Sequence, residues 1–273
     1  MIPSVTLNDD HLMPQLGFGV FQVPDDDAHR AVATALEAGY RSIDTAAIYG
    51  NEAGVGRAVA ESGIDRDDLF ITTKLWVDGL SRDGVRPGLE ASLGRLGLDS
   101  VDLYLIHWPA PATDNYLAAW EGMEEARDLG LARSIGVSNF LPEHLQRIVD
   151  LGGTVPAVNQ VELHPSLQNR ETVAANTRHG VATEAWSPLG QGAALTDPVV
   201  ADIAAAHGAT PAQVVLAWHL QQGRIVIPKS VTPARIAENL GATGLDLREQ
   251  DLAALDALDR GIRTGPDPEN FNG

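Results

Sequence analysis

Leu69-Phe70-Ile71-Thr72-Thr73-Lys74 is followed by a run of helical spacing near Val85 to Leu96, then by Val101-Asp102-Leu103-Tyr104-Leu105-Ile106-His107. The outer runs are short, apolar and rich in β-formers; the middle one repeats its apolar residues at helical intervals. This reads as strand, helix, strand. Both strands are apolar on both faces, as in a parallel sheet covered by helices, and both end on a polar residue.

Outward from this unit the same alternation fills the chain. A hairpin is expected over roughly Val5 to Met13, turning at Asn8-Asp9-Asp10. Leu16 to Val20 is the first strand. Its helix opens at Asp25-Asp26-Asp27, whose carboxylates suit free helix N–H groups, and stops at Gly39. Tyr40 to Asp44 is the second strand, with a helix over Glu52 to Ser62. After His107 come a helix near Tyr116 to Leu129, a strand over Ser134 to Ser138 and a helix near Pro142 to Asp150. A strand over Ala157 to Val161, a helix near Glu171 to Arg178 and a strand over Val181 to Trp186 follow. Helices near Pro198 to His207 and Pro211 to Gln222 precede the eighth strand, Arg224 to Pro228. A helix from Pro233, a last helix near Arg248 to Leu258 and a tail ending Phe271-Asn272-Gly273 complete the chain. Eight strands alternating with helices imply an α/β fold, a (β/α)8 TIM barrel with an N-terminal β-hairpin and an extra C-terminal helix and tail. Residues 1–273 read as one barrel domain.

Composition narrows the function classes. The formal net charge of −18 repels nucleic acid and anionic lipid, so neither is an expected partner. The absence of cysteine removes disulfides, thiolate nucleophiles and cysteine metal sites, and the eight histidines lack metal spacing, so no metal is expected. No apolar run approaches a membrane span, and the N-terminus lacks a basic region and apolar core, so a cytoplasmic protein is expected. No oligomer is implied, and a monomer is the expectation.

Only two of the nineteen basic residues are lysine, Lys74 and Lys229, and both close a strand. Lysine is a compact ammonium whose charge can sit close to a phenol or a phosphate. Polarity gathers at the other strand ends too: Asp44 with Tyr49 beyond it, His107, Ser138-Asn139, Asn159-Gln160, Glu184 and Trp186-Ser187. In a barrel these ends converge on one mouth, where active sites lie. Asp44, Tyr49, Lys74 and His107 can then meet around one reacting atom. Lys74 would lower the pKa of Tyr49, Asp44 would hold Lys74, and His107 would hydrogen-bond the substrate oxygen. Such an acid suits protonation of a carbonyl oxygen as its carbon receives hydride from a reduced nicotinamide. Taken singly, each of these residues reads equally as a cap or a packed core residue; the case rests on their joint placement.

At these residues the chain resembles the aldo-keto reductases, from Leu16 to about Asn239. The motifs are Asp44-Thr45-Ala46-Ala47-Ile48-Tyr49-Gly50-Asn51-Glu52, Thr73-Lys74-Leu75-Trp76, Asp102-Leu103-Tyr104-Leu105-Ile106-His107-Trp108-Pro109, Ile135-Gly136-Val137-Ser138-Asn139-Phe140 and Ile227-Pro228-Lys229-Ser230-Val231. It looks closest to bacterial members such as the 2,5-diketo-D-gluconate reductases. The resemblance implies that Asp44, Tyr49, Lys74 and His107 form the catalytic tetrad, with Tyr49 as the acid. It implies that Ser138, Asn139 and Gln160 hold the nicotinamide carboxamide. Trp186 stands where the family usually stacks a tyrosine on the nicotinamide, and the Ser187-Pro188-Leu189-Gly190-Gln191-Gly192 loop would wrap the pyrophosphate.

Lys229, Ser230, Val231, Thr232 and Arg235 surround a helix start at Pro233, with Thr232 as its cap. Cations, hydroxyls and a helix N-terminus make an anion site. It suits the 2′-phosphate of NADPH, which the resemblance also implies, together with Glu238 and Asn239 near the adenine. Phe21, Trp76 and Trp108 should wall an apolar pocket, with Phe271 folding over it, for a small carbonyl substrate: an aldehyde, an α-dicarbonyl or a keto sugar. Two other functions fit parts of the pattern: a lyase forming a Schiff base at Lys74 or Lys229, and a non-catalytic NADPH-binding redox sensor.

Overall fold

Each strand of the main sheet pairs in parallel with its neighbour in sequence, as helix-linked strands must. The structure, a computed structural model, describes residues 2–273. The strands are β3 (Phe18–Gly19), β4 (Ser42–Asp44), β5 (Phe70–Leu75), β6 (Val101–Ile106), β7 (Ala132–Ser138), β8 (Val158–Glu162), β9 (Ala182–Trp186) and β10 (Ile225–Val226). They follow β1 (Ser4–Thr6) and β2 (Leu12–Pro14), an antiparallel hairpin. A parallel bridge between Leu16 and Val226 closes the sheet, reinforced by Gly17 N donating to Val226 O at 2.8 Å. Gly19 belongs to this seam: a Cβ there would stand 3.0 Å from Ile227 O.

The helices α1 (Asp25–Ala38), α2 (Glu52–Glu61), α3 (Arg82–Leu96), α4 (Tyr116–Asp128), α5 (Pro142–Val149), α6 (Arg170–Arg178), α7 (Pro198–His207), α8 (Pro211–Gln221) and α9 (Pro233–Leu240) cover the barrel, and α10 (Glu249–Asp256) precedes the tail. The apolar stripe of α1 is Ala28, Ala31, Val32, Ala35 and Leu36, as the spacing implies, and Gly39 ends the helix in the left-handed region. The first-turn carboxylates do not cap it. Asp25 instead accepts from Gly54 N at 2.6 Å and from Arg57 at 2.8 Å, tying α1 to α2. Likewise α3 begins at Arg82, a turn earlier than expected, because Ser81 caps it through Gly84 N.

The core has two main parts. The larger lies between strands and helices, around Val32, Ile43, Val55, Ile71, Tyr104, Trp120 and Trp218. A smaller one fills the lower barrel, where Leu7 and Met13 of the hairpin pack on Phe70, Leu103, Leu105, Val158 and Ile225. The strands were expected to be apolar on both faces. The inner face departs from this: Ser42, Asp44, Thr72, Lys74, Ser138, Gln160 and Glu184 are all buried. The interior is thus an apolar plug below and a polar chamber above, and the hairpin replaces solvent at the bottom.

Two glycines inside α2 have a packing reason that helical spacing cannot reveal. A Cβ on Gly54 would lie 2.1 Å from Asp25 O, and one on Gly56 would lie 2.2 Å from Leu96 O. Backbone is in contact with backbone there, so nothing can yield cheaply. Gly56→Ala should therefore cost about 1–3 kcal/mol and lower the thermal midpoint by several degrees. Gly94→Ala, on α3 with open space around the added carbon, should be neutral or stabilising. Equal effects of the two substitutions in a thermal melt would refute this account of α2.

Candidate active site

Two buried, oppositely charged side chains organise the chamber. Lys74 is fully buried on β5, and its Nζ donates to Asp44 Oδ1 at 2.6 Å and to Thr45 O at 2.8 Å. Burial by itself would discharge the ammonium. The Asp44 carboxylate, with smaller help from Tyr49 and Glu184, offsets this and holds the Lys74 pKa above its ordinary value. The other Asp44 oxygen accepts from Gln160 Nε2 at 2.8 Å, and the same nitrogen donates to Glu184 Oε2 at 2.8 Å. Glu184 was read only as a polar strand tip. In the folded chain it is wholly buried, and burial with the nearby Asp44 charge pushes its carboxyl up to about 8.

Tyr49 lies on a single 3₁₀ turn after β4, ended by Gly50 in the left-handed region. Lys74 Nζ is 5.1 Å from the centre of its ring. The expectation that Lys74 lowers the Tyr49 pKa needs correction. Lys74 acts in that direction, but desolvation of the hydroxyl outweighs it, and the phenol is held above its ordinary value. His107, just beyond β6, is edge-on to Tyr49 with ring centres 5.6 Å apart. Burial, then the Lys74 charge, holds His107 well below its ordinary value, so the ring is neutral. Its Nδ1 is buried with no partner among the described residues, whereas Nε2 keeps access to the mouth.

The expected carboxamide contacts sit side by side on β7 and β8. Ser138 Oγ donates to Gln160 O at 2.8 Å. Asn139, in the left-handed region, donates to His107 O and Ser138 Oγ, each at 3.0 Å, and accepts from Trp186 Nε1 at 2.8 Å. The link from Asn139 to Trp186 was not foreseen; it fixes the plane of the indole. Ser187 is also left-handed and starts the turn through Leu189 into Gly190. Lys229, Val231, Thr232 and Arg235 are exposed at the start of α9, with Ser230 half-buried. Most arginines of this acidic chain pair with carboxylates, but neither Lys229 nor Arg235 does so among the described residues. Thr232 occupies the cap position without capping: its side chain makes no cap bond, and its N–H donates to Ser230 Oγ at 3.1 Å. The backbone donors at the start of α9 thus lack a side-chain cap. Glu238 is committed to Thr210 Oγ1 at 2.8 Å, and Asn239 is buried.

Aromatic rings surround the mouth. Phe21 is half-exposed, 5.1 Å from Tyr49. Trp76 lies 5.2 Å from His107, and Phe271 of the tail packs 4.3 Å from Trp108 and 6.1 Å from Trp76. Glu162 at the end of β8, absent from the expected site, anchors this tail. Its carboxylate accepts from Thr264 N and Oγ1, each at 2.6 Å, and from Gly265 N at 3.1 Å. Among the described residues no group of acidic and histidine side chains is arranged to hold a metal, and no single helix is long and apolar enough to cross a membrane.

A sequence model of the Aldo/keto reductase family matches residues 15–260. An aldo-keto reductase of Mycolicibacterium smegmatis is 52% identical over 272 residues, covering 100% of this chain and 99% of its own length. Methylglyoxal reductase DkgA of Escherichia coli is 50% identical over 271 residues, covering 98% of each chain. The crystal structure of a Gox0644 mutant in complex with NADPH superposes with a TM-score of 0.95 at 45% identity, covering 99% of each chain. That of a Bombyx mori aldo-keto reductase in complex with NADP gives 0.93 at 36% identity, covering 98% of this chain and 96% of that one.

The position of Glu184 makes stability depend on pH. Asp44, Lys74 and Tyr49 are the charged or titratable groups acting on it, beside the Gln160 amide. A carboxyl raised from 4.5 to about 8 keeps its proton in the folded chain where the unfolded chain has lost it. Its contribution is therefore complete below the ordinary value and is lost as pH rises towards about 8. Glu184→Gln has no proton to lose. The thermal midpoint of the parent should fall progressively below that of the variant between pH 5 and 8, then level off. A pH-independent difference between the two would show that Glu184 does not titrate this way.

Proposed function

The chain belongs to the aldo/keto reductase family, and from that premise we propose that it reduces small aldehydes, α-dicarbonyls or keto sugars to alcohols, with Tyr49 as the general acid. NADPH is the cofactor. The observation that carries the reading is the buried Lys74 ammonium, clamped by Asp44 and placed beside Tyr49, with a neutral His107 opposite.

NADPH when bound supplies the hydride; the residues here bind, orient and protonate. The uncommitted cations Lys229 and Arg235, beside the backbone donors of α9, fit a 2′-phosphate. Trp186, its indole held by Asn139, offers a fixed face for a flat ring. Ser138, Asn139 and Gln160 line the position for the carboxamide. Asn139 already has its amide hydrogens committed, so its carbonyl oxygen is the group with capacity left.

Protonation follows from the charge states. A neutral imidazole whose pKa is held well below the ordinary value cannot act as the acid at neutral pH. It can donate one hydrogen bond from Nε2 to the substrate oxygen. Tyr49 is protonated at neutral pH because its hydroxyl is desolvated. When it gives its proton to the developing alkoxide, the Lys74 ammonium stabilises the phenolate that remains. The alternative of a Schiff base at Lys74 is disfavoured by the same geometry: its amine is protonated, buried and committed to two acceptors.

Tyr49→Phe removes the acid and leaves the anion site untouched. NADPH affinity should stay within about two-fold, while turnover of a reactive dicarbonyl falls by at least ~10²-fold. Full turnover in that variant would discard Tyr49 as the acid and readmit the sensor reading. The parent should bind NADPH much more tightly than NADH, and Arg235→Ala should weaken NADPH roughly ten-fold with little effect on NADH. Equal dissociation constants for the two cofactors in the parent would remove the phosphate site from Lys229 and Arg235.

A further inference from the structure

Glu184 is a fully buried carboxyl group that the reaction as described does not use. Its strand β9 lies between β8 and β10, and register places it opposite Gln160 and Ile225. Its side chain points into the chamber, where Gln160 Nε2 donates to it at 2.8 Å. Among the described residues, the one other atom to receive a hydrogen from that amide is Asp44 Oδ2, also at 2.8 Å.

A primary amide has two hydrogens and one carbonyl oxygen. Both hydrogens of Gln160 point to carboxyl oxygens, so the assignment of nitrogen and oxygen in this amide is determined chemically. Asp44, which accepts from the Lys74 ammonium through its other oxygen, serves here as an acceptor. A reversed amide would set its carbonyl oxygen against that carboxylate. Gln160 Oε1 has no donor among the described residues and is not sealed from the mouth, although the residue as a whole is only 2% exposed. An open acceptor on a locked amide is a recognition element for an N–H donor.

We propose that Glu184 is a positioning residue: by taking the second amide hydrogen of Gln160 it locks the Gln160 carbonyl towards the mouth, and so selects a cofactor ring bearing a primary carboxamide. The inference rests on the reading that Gln160 meets the nicotinamide carboxamide. Glu184 Oε2 accepts whether or not the group carries a proton. The lock therefore needs an acceptor at this position and no charge. Glu184 Oε1 is buried without a partner among the described residues, which favours the neutral acid, since an unpaired buried charge is costly. Asp44 alone would leave one amide hydrogen uncommitted, and the Gln160 side chain could turn about its last bond.

The test uses binding to the intact protein and compares NADPH with its reduced 3-acetylpyridine analogue, in which a methyl ketone replaces the carboxamide and no N–H remains. The parent should prefer NADPH by about ten-fold, the worth of one well-formed hydrogen bond. Glu184→Leu and Glu184→Met both remove the acceptor with little change of volume, so the test survives if one of them folds poorly. In either, the preference should fall to within about two-fold of unity, whereas Glu184→Gln, which keeps an acceptor oxygen, should restore it. A role confined to holding the barrel together would weaken both cofactors alike and leave the ratio unchanged.

Retention of the parent ratio in Glu184→Leu or Glu184→Met, or failure of Glu184→Gln to restore it, overturns the proposal. Gln160→Leu separates the two levels of the argument. If it abolishes the preference while the Glu184 variants keep it, Gln160 reads the carboxamide without Glu184. If it leaves the preference intact, Gln160 does not meet the carboxamide, and the underlying reading fails with the proposal.

Discussion

An ammonium sealed inside a barrel survives only if its charge is answered, and the Lys74–Asp44 contact at 2.6 Å is that answer. Both side chains are almost wholly removed from water, where an unpaired charge would cost several kcal/mol or neutralise. The chamber is built outward from this pair. Thr45 O takes another ammonium hydrogen, Gln160 serves the second Asp44 oxygen, and Glu184 serves Gln160. Burial, reinforced by the same charge, suppresses protonation of His107, and that charge stands ready for a phenolate at Tyr49. Burial and this ion pair together set the protonation states of the groups around the reacting position.

The barrel makes such a pair possible by dividing its interior. Below, the hairpin packs Leu7 and Met13 against Phe70, Leu103, Leu105 and Ile225, which denies water a lower entrance. Above, the chamber opens only towards the strand C-termini, where aromatic rings and the tail stand. Glu162 spends its carboxylate on three donors of residues 264 and 265, and this sets the tail so that Phe271 reaches Trp108. The apolar cup and the charged chamber therefore meet at the rim occupied by Tyr49 and His107. Outside, the surface is strongly acidic, and its arginines are mostly matched with carboxylates. Among the described residues neither Lys229 nor Arg235 pairs with a carboxylate, and both stand beside an uncapped helix start, which concentrates positive potential where the general field opposes anions.

Much of this was legible in the chain because it is local. Alternation of apolar runs with helical spacing gave the order of the elements, and a parallel sheet of eight strands has a mouth at one end. Asp44, Tyr49, Lys74 and His107 could be singled out because they lie at or beyond the ends of three consecutive strands, Asp44 and Tyr49 sharing β4, and convergence of those ends follows from fold class alone. The errors were also local. Asp25 and Thr232 were taken as caps from residue type, but Asp25 is used by Gly54 and Arg57 of another helix, and the N–H of Thr232 turns to Ser230. Tyr49 was given a lowered pKa from its charged neighbour, because desolvation depends on everything packed around the hydroxyl.

What the sequence determined by itself is the alternation, the direction of every barrel strand and the set of polar residues at their tips. What only the tertiary structure decided is which of those residues touch. Gln160 and Asp44 are 116 positions apart, Asn139 and Trp186 are 47 apart, and Glu162 and Thr264 are 102 apart. The backbone contact that requires Gly56 joins it to Leu96 on a different helix. Periodicity records the face a residue presents, which is a property of neighbours in the chain. A contact across a closed barrel depends on the stagger and closure of all eight strands together, and no local pattern carries that information.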